Sequence, residues 1–285
     1  MKLLAAGAHL SLRPRDGEPV TVRCDSVAQR AWSRTAAAHG PDGERWFLKQ
    51  FVTRSGHPRG DLFEAERVGA ETGRAVFRRL RVLTPVAVAK DDLLLAYPWH
   101  DLTPFDELLR ADPQGFAASY PAALRAAAHD LLGSRDAELL AGLPEKRADT
   151  AVLGVGVVFK GLEIRNLAVC PGSDQPVAFD LGRARRGPLE EAGARLFVSA
   201  ALLDWGRPVT RFARGPQEAL MALAWEHLQA VVTKESCLRE LDHQYRTRLR
   251  DDGWTYGRAR HARRAVVRAV GGRYARQVRQ FVTSR

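Results

Sequence analysis

Two short apolar stretches near the middle of the chain constrain its fold most. The first, Val157–Val169, reads as strand, polar loop and strand; the second, Val177–Arg183, reads as a strand followed by Asp-Leu-Gly. Asn166 lies in the loop, and Asp180 follows the last strand 14 positions later. Because both residues lie at the ends of short strands, their amide and carboxylate oxygens can converge on one metal ion. The pattern predicts a β-rich segment built around a cation site.

Composition excludes several classes of protein. The chain has 285 residues, 45% hydrophobic and 27% charged, which is enough for one large domain or two lobes. No apolar run approaches the roughly 20 residues of a membrane span, and Leu3–Ala8 is too short for a signal peptide. Cys24, Cys170 and Cys237 are too widely spaced for a zinc site or a disulfide framework. We therefore expect a cytoplasmic protein.

The positive charge is concentrated near the C-terminal end. The chain carries a net charge of +11, and residues 246–285 contain twelve Arg, two Asp and no Lys. Such a surface attracts phosphates on nucleic acid, anionic lipid or a phosphorylated glycan, although a solvated helix face is the alternative. Helical spacing of apolar residues predicts a helix over 258–282, which Gly271 and Gly272 should weaken or bend.

The order of predicted elements changes from strands to helices near residue 100. Strands are expected between residues 8 and 24, over 45–52, over 82–88 and over 93–97, with a helix capped by Asp61 and running from 62 to about 80. Thr103 is expected to cap the next helix, with Pro104 in its first turn. Further helices are predicted over 117–141, 189–204 and 216–232.

These features resemble the protein-kinase-like superfamily, in which a loop Asn and the Asp of a D-F-G motif hold magnesium. The resemblance implies that Asn166 and Asp180 bind Mg²⁺ and that Lys49, on the strand over 45–52, pairs with the phosphates of ATP. A carboxylate on the following helix must hold such a lysine. Glu66 is the better candidate by its helix position, and Glu64 is the alternative.

The resemblance also implies an α+β, bilobal, protein-kinase-like architecture. A small β-rich N-lobe would span residues 1–98, a mainly helical C-lobe 99–245, and an Arg-rich helical extension 246–285. Tyr97 and Trp99 would lie in the segment that links the lobes, where the backbone can bind the adenine of the nucleotide.

Within this superfamily the sequence resembles sugar kinases more than protein kinases. No Ala-Pro-Glu segment follows Asp180, and Arg183–Pro188 leads directly into a helix. This short connection resembles aminoglycoside phosphotransferases and lipopolysaccharide-core (Kdo/heptose, RIO-like) kinases. The loop Phe159–Asn166 looks most like the latter group, in which Phe, a basic residue and a small residue can replace His-x-Asp. The resemblance implies an acceptor sugar of lipopolysaccharide core or a related envelope glycan.

Two departures from the kinase pattern affect the expected chemistry. The stretch Asp25–Ser33, where a glycine-rich phosphate loop is expected, contains no glycine. The position of the catalytic Asp is Gly161, which cannot accept a proton from a substrate hydroxyl. Glu163 is the candidate substitute base, and its alternative is exposure to solvent or pairing with Arg165.

Three functional hypotheses remain open. The first is an ATP-dependent phosphotransferase whose basic tail holds it at the inner membrane face, near an anionic glycolipid acceptor. The second is a catalytically inactive pseudokinase that acts as a binding or regulatory module. The third is nucleic-acid binding through the tail, where Trp254, Tyr256 and Tyr274 lie among the arginines.

Overall fold

The computed structural model describes residues 3–14, 17–135, 137–146, 148–203, 214–251 and 260–285. At residues 137, 139, 148, 214–216, 248–251 and 260–271 this description covers the backbone alone. The N-terminal part is rich in strands and the C-terminal part is mainly helical, which confirms the predicted α+β, bilobal architecture.

A six-stranded antiparallel sheet forms the N-terminal lobe. The first seven strands are β1 (His9–Leu12), β2 (Val20–Gln29), β3 (Arg34–His39), β4 (Arg45–Gln50), β5 (Arg81–Val82), β6 (Ala87–Ala89) and β7 (Leu94–Pro98). Six of them pair in the order β1-β2-β3-β4-β7-β6. Successive side chains of β4 point to opposite faces, so Trp46 and Leu48 lie in an apolar core while Lys49 faces the other way. The sheet thus presents Lys49 towards the rest of the molecule.

Helix α1 (Gly60–Val76) packs against the face of the sheet that carries Lys49, and its buried side includes Phe63, Glu66 and Ala70. The predicted cap at Asp61 is wrong. Arg59 is the N-cap residue, and Asp61 lies in the first turn, where its carboxylate binds the Arg59 guanidinium. The helix also ends before residue 80, because Phe77 is extended and buried in the C-terminal core.

The C-terminal lobe is built from helices around one large apolar core. After a short strand β8 (Thr103–Pro104), the helices are α2 (Phe105–Ala111), α3 (Pro113–Gly133), α4 (Ala137–Leu140), α5 (Leu189–Ala201), α6 (Arg214–Leu228), α7 (Lys234–Asp251) and α8 (Arg260–Ser284). The predicted cap at Thr103 is wrong, because Thr103 pairs with a later strand and Pro104 precedes the helix as its N-cap. Helix α7 was not predicted from the sequence.

Four strands between α4 and α5 carry the segment that the sequence singled out. They are β9 (Val155–Phe159), β10 (Leu167–Cys170), β11 (Ser173–Ala178) and β12 (Ala184–Pro188). Strands β9 and β12 pair antiparallel, while β10 and β11 form a hairpin flanked by β8 and β5. The loop between β9 and β10 and the turn after β11 are thereby brought together, as the strand–loop–strand pattern predicts.

The end of α8 belongs to the C-terminal core. Val278 and Val282 are fully buried, and the Phe281 ring packs against Phe197 and Trp225. The helix runs without interruption through Gly271 and Gly272. Part of the basic tail lies outside the described residues. This part includes Trp254, Tyr256 and every arginine side chain between residues 247 and 271, so the interactions predicted for them are not described. None of the helices in the described ranges has the length and apolar content needed to cross a bilayer.

Candidate active site

Lys49 lies at the centre of a cluster of charged side chains between the lobes. Its Nζ lies 2.7 Å from Glu66 Oε2 on α1 and 3.1 Å from Asp180 Oδ1 in the turn after β11. Glu66 is buried and Lys49 is largely buried, whereas the Asp180 side chain is 51% exposed. Of the two carboxylates proposed for Lys49, Glu66 makes this contact, and Glu64 instead pairs with Arg67 on the surface. Three elements distant in sequence therefore meet at one ammonium group.

The cluster perturbs the protonation of all three groups. Burial raises the pKa of Glu66 to about 8; Lys49 opposes this shift and Asp180 adds to it. Burial works to lower the pKa of Lys49, but the Glu66 and Asp180 carboxylates outweigh it and raise the pKa. Partial burial works to raise the pKa of Asp180. The attraction to Lys49, together with hydrogen bonds to Glu66 and Lys49, outweighs burial and lowers the pKa below its ordinary value. Asp180 is therefore ionised at neutral pH and open to solvent on one side.

Tyr97 contacts the site through Glu66, whereas the contacts of Trp99 are with Arg45 and Asp101. The Tyr97 hydroxyl donates to Glu66 Oε1 at 3.2 Å, and burial with the nearby Glu66 carboxylate raises the pKa of Tyr97. The Trp99 amide donates to the Arg45 carbonyl, its indole donates to Asp101, and the Arg45 guanidinium lies over the ring. Tyr97 thus positions Glu66, and the part of both residues in nucleotide binding stays a prediction.

Asn166 and Asp180 lie close enough to share a hydrogen bond. The Asn166 amide nitrogen donates to the Gly161 carbonyl at 2.7 Å and to the Asp180 carbonyl at 3.3 Å. Its Oδ1 accepts no hydrogen bond within the described residues. Asp180 has a left-handed backbone with φ of 52°, a conformation that Asp tolerates better than most residues. The turn thereby holds the Asp180 backbone against the Asn166 side-chain amide.

This donor set fits magnesium. The described residues contain no group of three or more His, Cys, Asp or Glu side chains that could hold a metal ion. One exposed carboxylate and one amide oxygen are a sparse set of hard oxygen ligands. Mg²⁺ is commonly bound in this way, because it keeps several waters and takes its remaining ligands from phosphates. Asn166 and Asp180 are the residues that would hold it.

Gly161 is closed in by the turn that carries Asp180. Its amide donates to the Leu181 carbonyl at 2.7 Å. A Cβ atom at this position would lie far inside van der Waals contact with the Asp180 carbonyl oxygen. The backbone at the position of the kinase Asp therefore has no room for any side chain.

Besides Glu66 and Asp180, three carboxylates line the interlobe cleft, a space of about 800 Å³: Asp61, Glu163 and Glu240. Asp61 is exposed and paired with Arg59, which leaves Glu163 and Glu240 as the two buried ones. Glu163 is one of them; it is buried to 9% exposure, and its Oε2 accepts from Arg165 Nε at 2.7 Å. It therefore lines the cleft and also makes the pairing with Arg165 that was the alternative.

Glu240, on α7, is the second carboxylate, and sequence reasoning missed it. It is buried, accepts a hydrogen bond from Gln244 at 3.1 Å and lies 3.6 Å from Arg195. Burial raises its pKa, against the effect of Arg195. The available signal was helical spacing over 234–251, which would have placed Glu240 on the buried side with Cys237, Leu241 and Gln244.

The roof of the cleft is a short turn. Strand β2 continues through Gln29, so only residues 30–33 of the glycine-free stretch connect β2 to β3. The Gln29 side chain donates to the carbonyls of Arg30 and Ser33 and accepts from Arg34, which braces the turn. Trp32 is exposed beneath the Arg59 guanidinium. The turn covers the cleft with side chains where a kinase has flexible glycines.

Comparisons with known proteins bear on the fold. No family model matches the chain, and no curated protein sequence matches it. Among solved structures, amicoumacin kinase hAmiN in complex with AMP-PNP, Ca²⁺ and Ami superposes with a TM-score of 0.54 at 11% identity, over 90% of this chain and 87% of that one.

Two macrolide 2′-phosphotransferases also align with the chain. The one from Brachybacterium faecium has a TM-score of 0.41 at 15% identity over 93% of this chain and 94% of that one. A type I macrolide 2′-phosphotransferase has a TM-score of 0.44 at 15% identity over 95% of this chain and 92% of that one. These scores are too low to support an argument. The amicoumacin kinase match, with the β-rich N-lobe and helical C-lobe, shows that this chain has the protein-kinase-like fold.

Proposed function

We propose that this protein binds ATP with Mg²⁺ in the interlobe cleft and transfers the γ-phosphate to a hydroxyl group. The observation that carries the proposal is the convergence of Lys49 on Glu66 and Asp180, with Asn166 beside the same turn. The amicoumacin kinase with the same fold contains AMP-PNP and Ca²⁺, which supports a nucleotide and a divalent cation here.

Each residue of the cluster has a role in this proposal. Lys49 neutralises the nucleotide phosphates, and Glu66, held by Tyr97, keeps the ammonium in place. Asn166 and Asp180 hold Mg²⁺, which when bound supplies positive charge to the phosphates. The acceptor oxygen forms a bond to the γ-phosphorus, the bond to the β–γ bridging oxygen breaks, and ADP leaves.

Glu163 is the proposed acceptor of the hydroxyl proton. It lines the same cleft as Asp180 and Asn166, and Gly161 has no side chain for this step. A positioned base contributes roughly 10²- to 10⁴-fold to such reactions. The proposed acceptor is a sugar of lipopolysaccharide core or a related envelope glycan, supported by the sequence resemblance of the loop Phe159–Asn166.

A second candidate is a pseudokinase that binds the nucleotide without turnover. Two observations favour it: the closed backbone at Gly161, and the braced, glycine-free turn above the cleft. The first removes the usual general base and the second removes the flexible phosphate-covering loop, and both features speed phosphoryl transfer. Lys49 and Asp180, which would bind the nucleotide and its metal ion, are still present.

Thermal unfolding with MgATP tests the nucleotide site. Ligand at about 100 times its Kd stabilises the folded state by about 2.7 kcal/mol, so the wild-type melting temperature should rise and EDTA should reverse the rise. Lys49→Met and Asp180→Asn should each lose most of the shift. Asp174→Asn, on the exposed face of β11, is the matched control and should retain it. No shift in the wild type, or an equal shift in Asp180→Asn, contradicts the proposal.

A further inference from the structure

A second cavity, of about 460 Å³, opens beside the interlobe cleft. Strands β9 and β12 form its floor, with Val158 and Pro188 among the lining residues. Helices α5 and α7 and the segment around Lys146 form its walls. We call this space the basic cavity.

The basic cavity has an excess of positive charge. Six of its lining side chains are cationic and two are carboxylates: Lys146, Lys160, Arg183, Arg185, Arg195 and Arg239 against Glu191 and Glu240. Arg185 is paired with Glu191, and Arg195 lies between Glu191 and Glu240. The other four cations have no ion-pair partner among the residues that the structure describes. Six cations against two carboxylates around one concave space favour a ligand with several negative charges.

The basic cavity adjoins the cleft directly. The two spaces share Lys160, Arg183, Arg195, Glu240 and His243 in their linings. A molecule held in the basic cavity can therefore extend one end towards Asp180 and Lys49. In a phosphoryl transfer the acceptor hydroxyl must approach the γ-phosphate from such a neighbouring site.

We infer that the basic cavity binds a phosphate group on the acceptor, so that the substrate is an anionic, phosphate-bearing molecule. Guanidinium groups such as those of Arg183 and Arg239 match phosphate oxygens in geometry and charge. The same field disfavours cationic acceptors. The assignment of the anion as an acceptor rests on the proposed function, whereas anion binding in the cavity does not.

The test uses two cations that line the basic cavity but not the cleft. Inorganic phosphate and glucose 6-phosphate are titrated into the full chain by calorimetry, with the wild type and Lys146→Gln/Arg239→Gln compared. The control is Arg54→Gln/Lys90→Gln, which removes the same charges from exposed positions elsewhere. We expect the affinity to fall by about tenfold or more in the cavity variant only, because two charge-assisted contacts are lost.

A second arm separates the sources of the phosphate. Vesicles of phosphatidylcholine with phosphatidylglycerol are compared with the two soluble probes on the same variants. Stronger, cavity-dependent binding of vesicles identifies a lipid headgroup, and preference for glucose 6-phosphate identifies a soluble phosphorylated sugar. Equal phosphate affinity in the cavity variant and the wild type overturns the inference. Loss of phosphate binding in Lys49→Met, with binding retained in the cavity variant, also overturns it. The change in melting temperature with MgATP is measured separately. If MgATP causes no change, the proposed function is rejected and the proposed anion site is unaffected.

Discussion

Gly161 shows how a single residue changes what the loop can do. The position of the kinase Asp lacks a carboxylate, and it also has no space for one, because its Cα faces the Asp180 carbonyl. The sequence alone showed the first fact and not the second, since the path of the turn after β11 depends on tertiary contacts. In the proposed reaction, proton transfer would therefore rely on a side chain from elsewhere.

Replacing Gly161 with Asp should damage the site instead of restoring a kinase. The new Cβ forces the Asp180 turn to move, and overpacking of this kind destabilises by roughly 1–3 kcal/mol. We expect a lower melting temperature and a weaker MgATP shift. Gly142→Ala is the control, because a Cβ there meets no atom within 4 Å. Faster phosphate transfer by Gly161→Asp would show that the loop can open to admit the side chain.

The identity of the base can be decided by two conservative substitutions. Glu163→Gln should lower the turnover number by roughly 10²- to 10⁴-fold with little change in MgATP affinity, because only proton acceptance is removed. Glu240→Gln serves as the comparison, since this buried carboxylate lines the same cleft and its pKa is raised. Undiminished turnover in Glu163→Gln rejects that residue as the base, and a selective loss in Glu240→Gln assigns the step to α7.

At the scale of elements, α1 and the Asp180 turn are packed backbone to backbone. A Cβ at Gly69 would overlap the Gly182 carbonyl oxygen, and one at Gly73 would press on Leu181. The glycines let the helix approach the turn closely, which brings Glu66 within reach of Asp180, the second carboxylate on Lys49. Helix and turn therefore hold the charged cluster together as one unit.

Gly69→Ala should move helix α1 away from the Asp180 turn. The helix must move away from Gly182, so the Lys49–Glu66 contact lengthens and MgATP affinity falls by about tenfold or more. Gly133→Ala is the matched control, because it is also helical and its Cβ meets nothing within 4 Å. Calorimetric titration with MgATP measures both variants. Unchanged affinity in Gly69→Ala would show that helix position does not govern the site.

Elements with a strong local pattern were predictable from the sequence. The strand that carries Lys49 and the strand–loop–strand around Asn166 follow from alternation and turn residues over a few positions. The strand at Thr103–Pro104 was missed because its pairing with β10 is a long-range contact. Helix α7 was missed because its few apolar residues give a weak signal, and Glu240 was lost with it.

At the scale of the whole molecule, the last helix completes the C-terminal core. Val278→Ala/Val282→Ala should lower the free energy of unfolding by roughly 3–5 kcal/mol, because both side chains are fully buried. Urea denaturation measures the change, and Val152→Ala, at a residue 76% exposed, is the control. A loss below 1 kcal/mol in the double variant would mean that α8 does not stabilise the lobe.

The Arg-rich extension over residues 246–285 is our proposed contact with an anionic membrane surface, with nucleic acid as the weaker candidate. Because the end of α8 is buried, deletion of the extension would also damage the core. Arg276→Gln/Arg285→Gln, at an exposed position of α8 and at the exposed residue that follows it, is the cleaner test. Vesicle binding should fall steeply and lose its dependence on salt. Competition by RNA at much lower concentration than vesicles would favour nucleic acid.

The closed backbone at Gly161 also bears on how such a protein can change over generations. With the turn after β11 packed against Gly161, a single substitution to Asp would introduce a carboxylate only by disturbing the fold. Several residues would have to change together before an Asp became tolerable. Selection for faster chemistry would then act on other parts of the cleft, and descendants of this chain would improve a base on a different element.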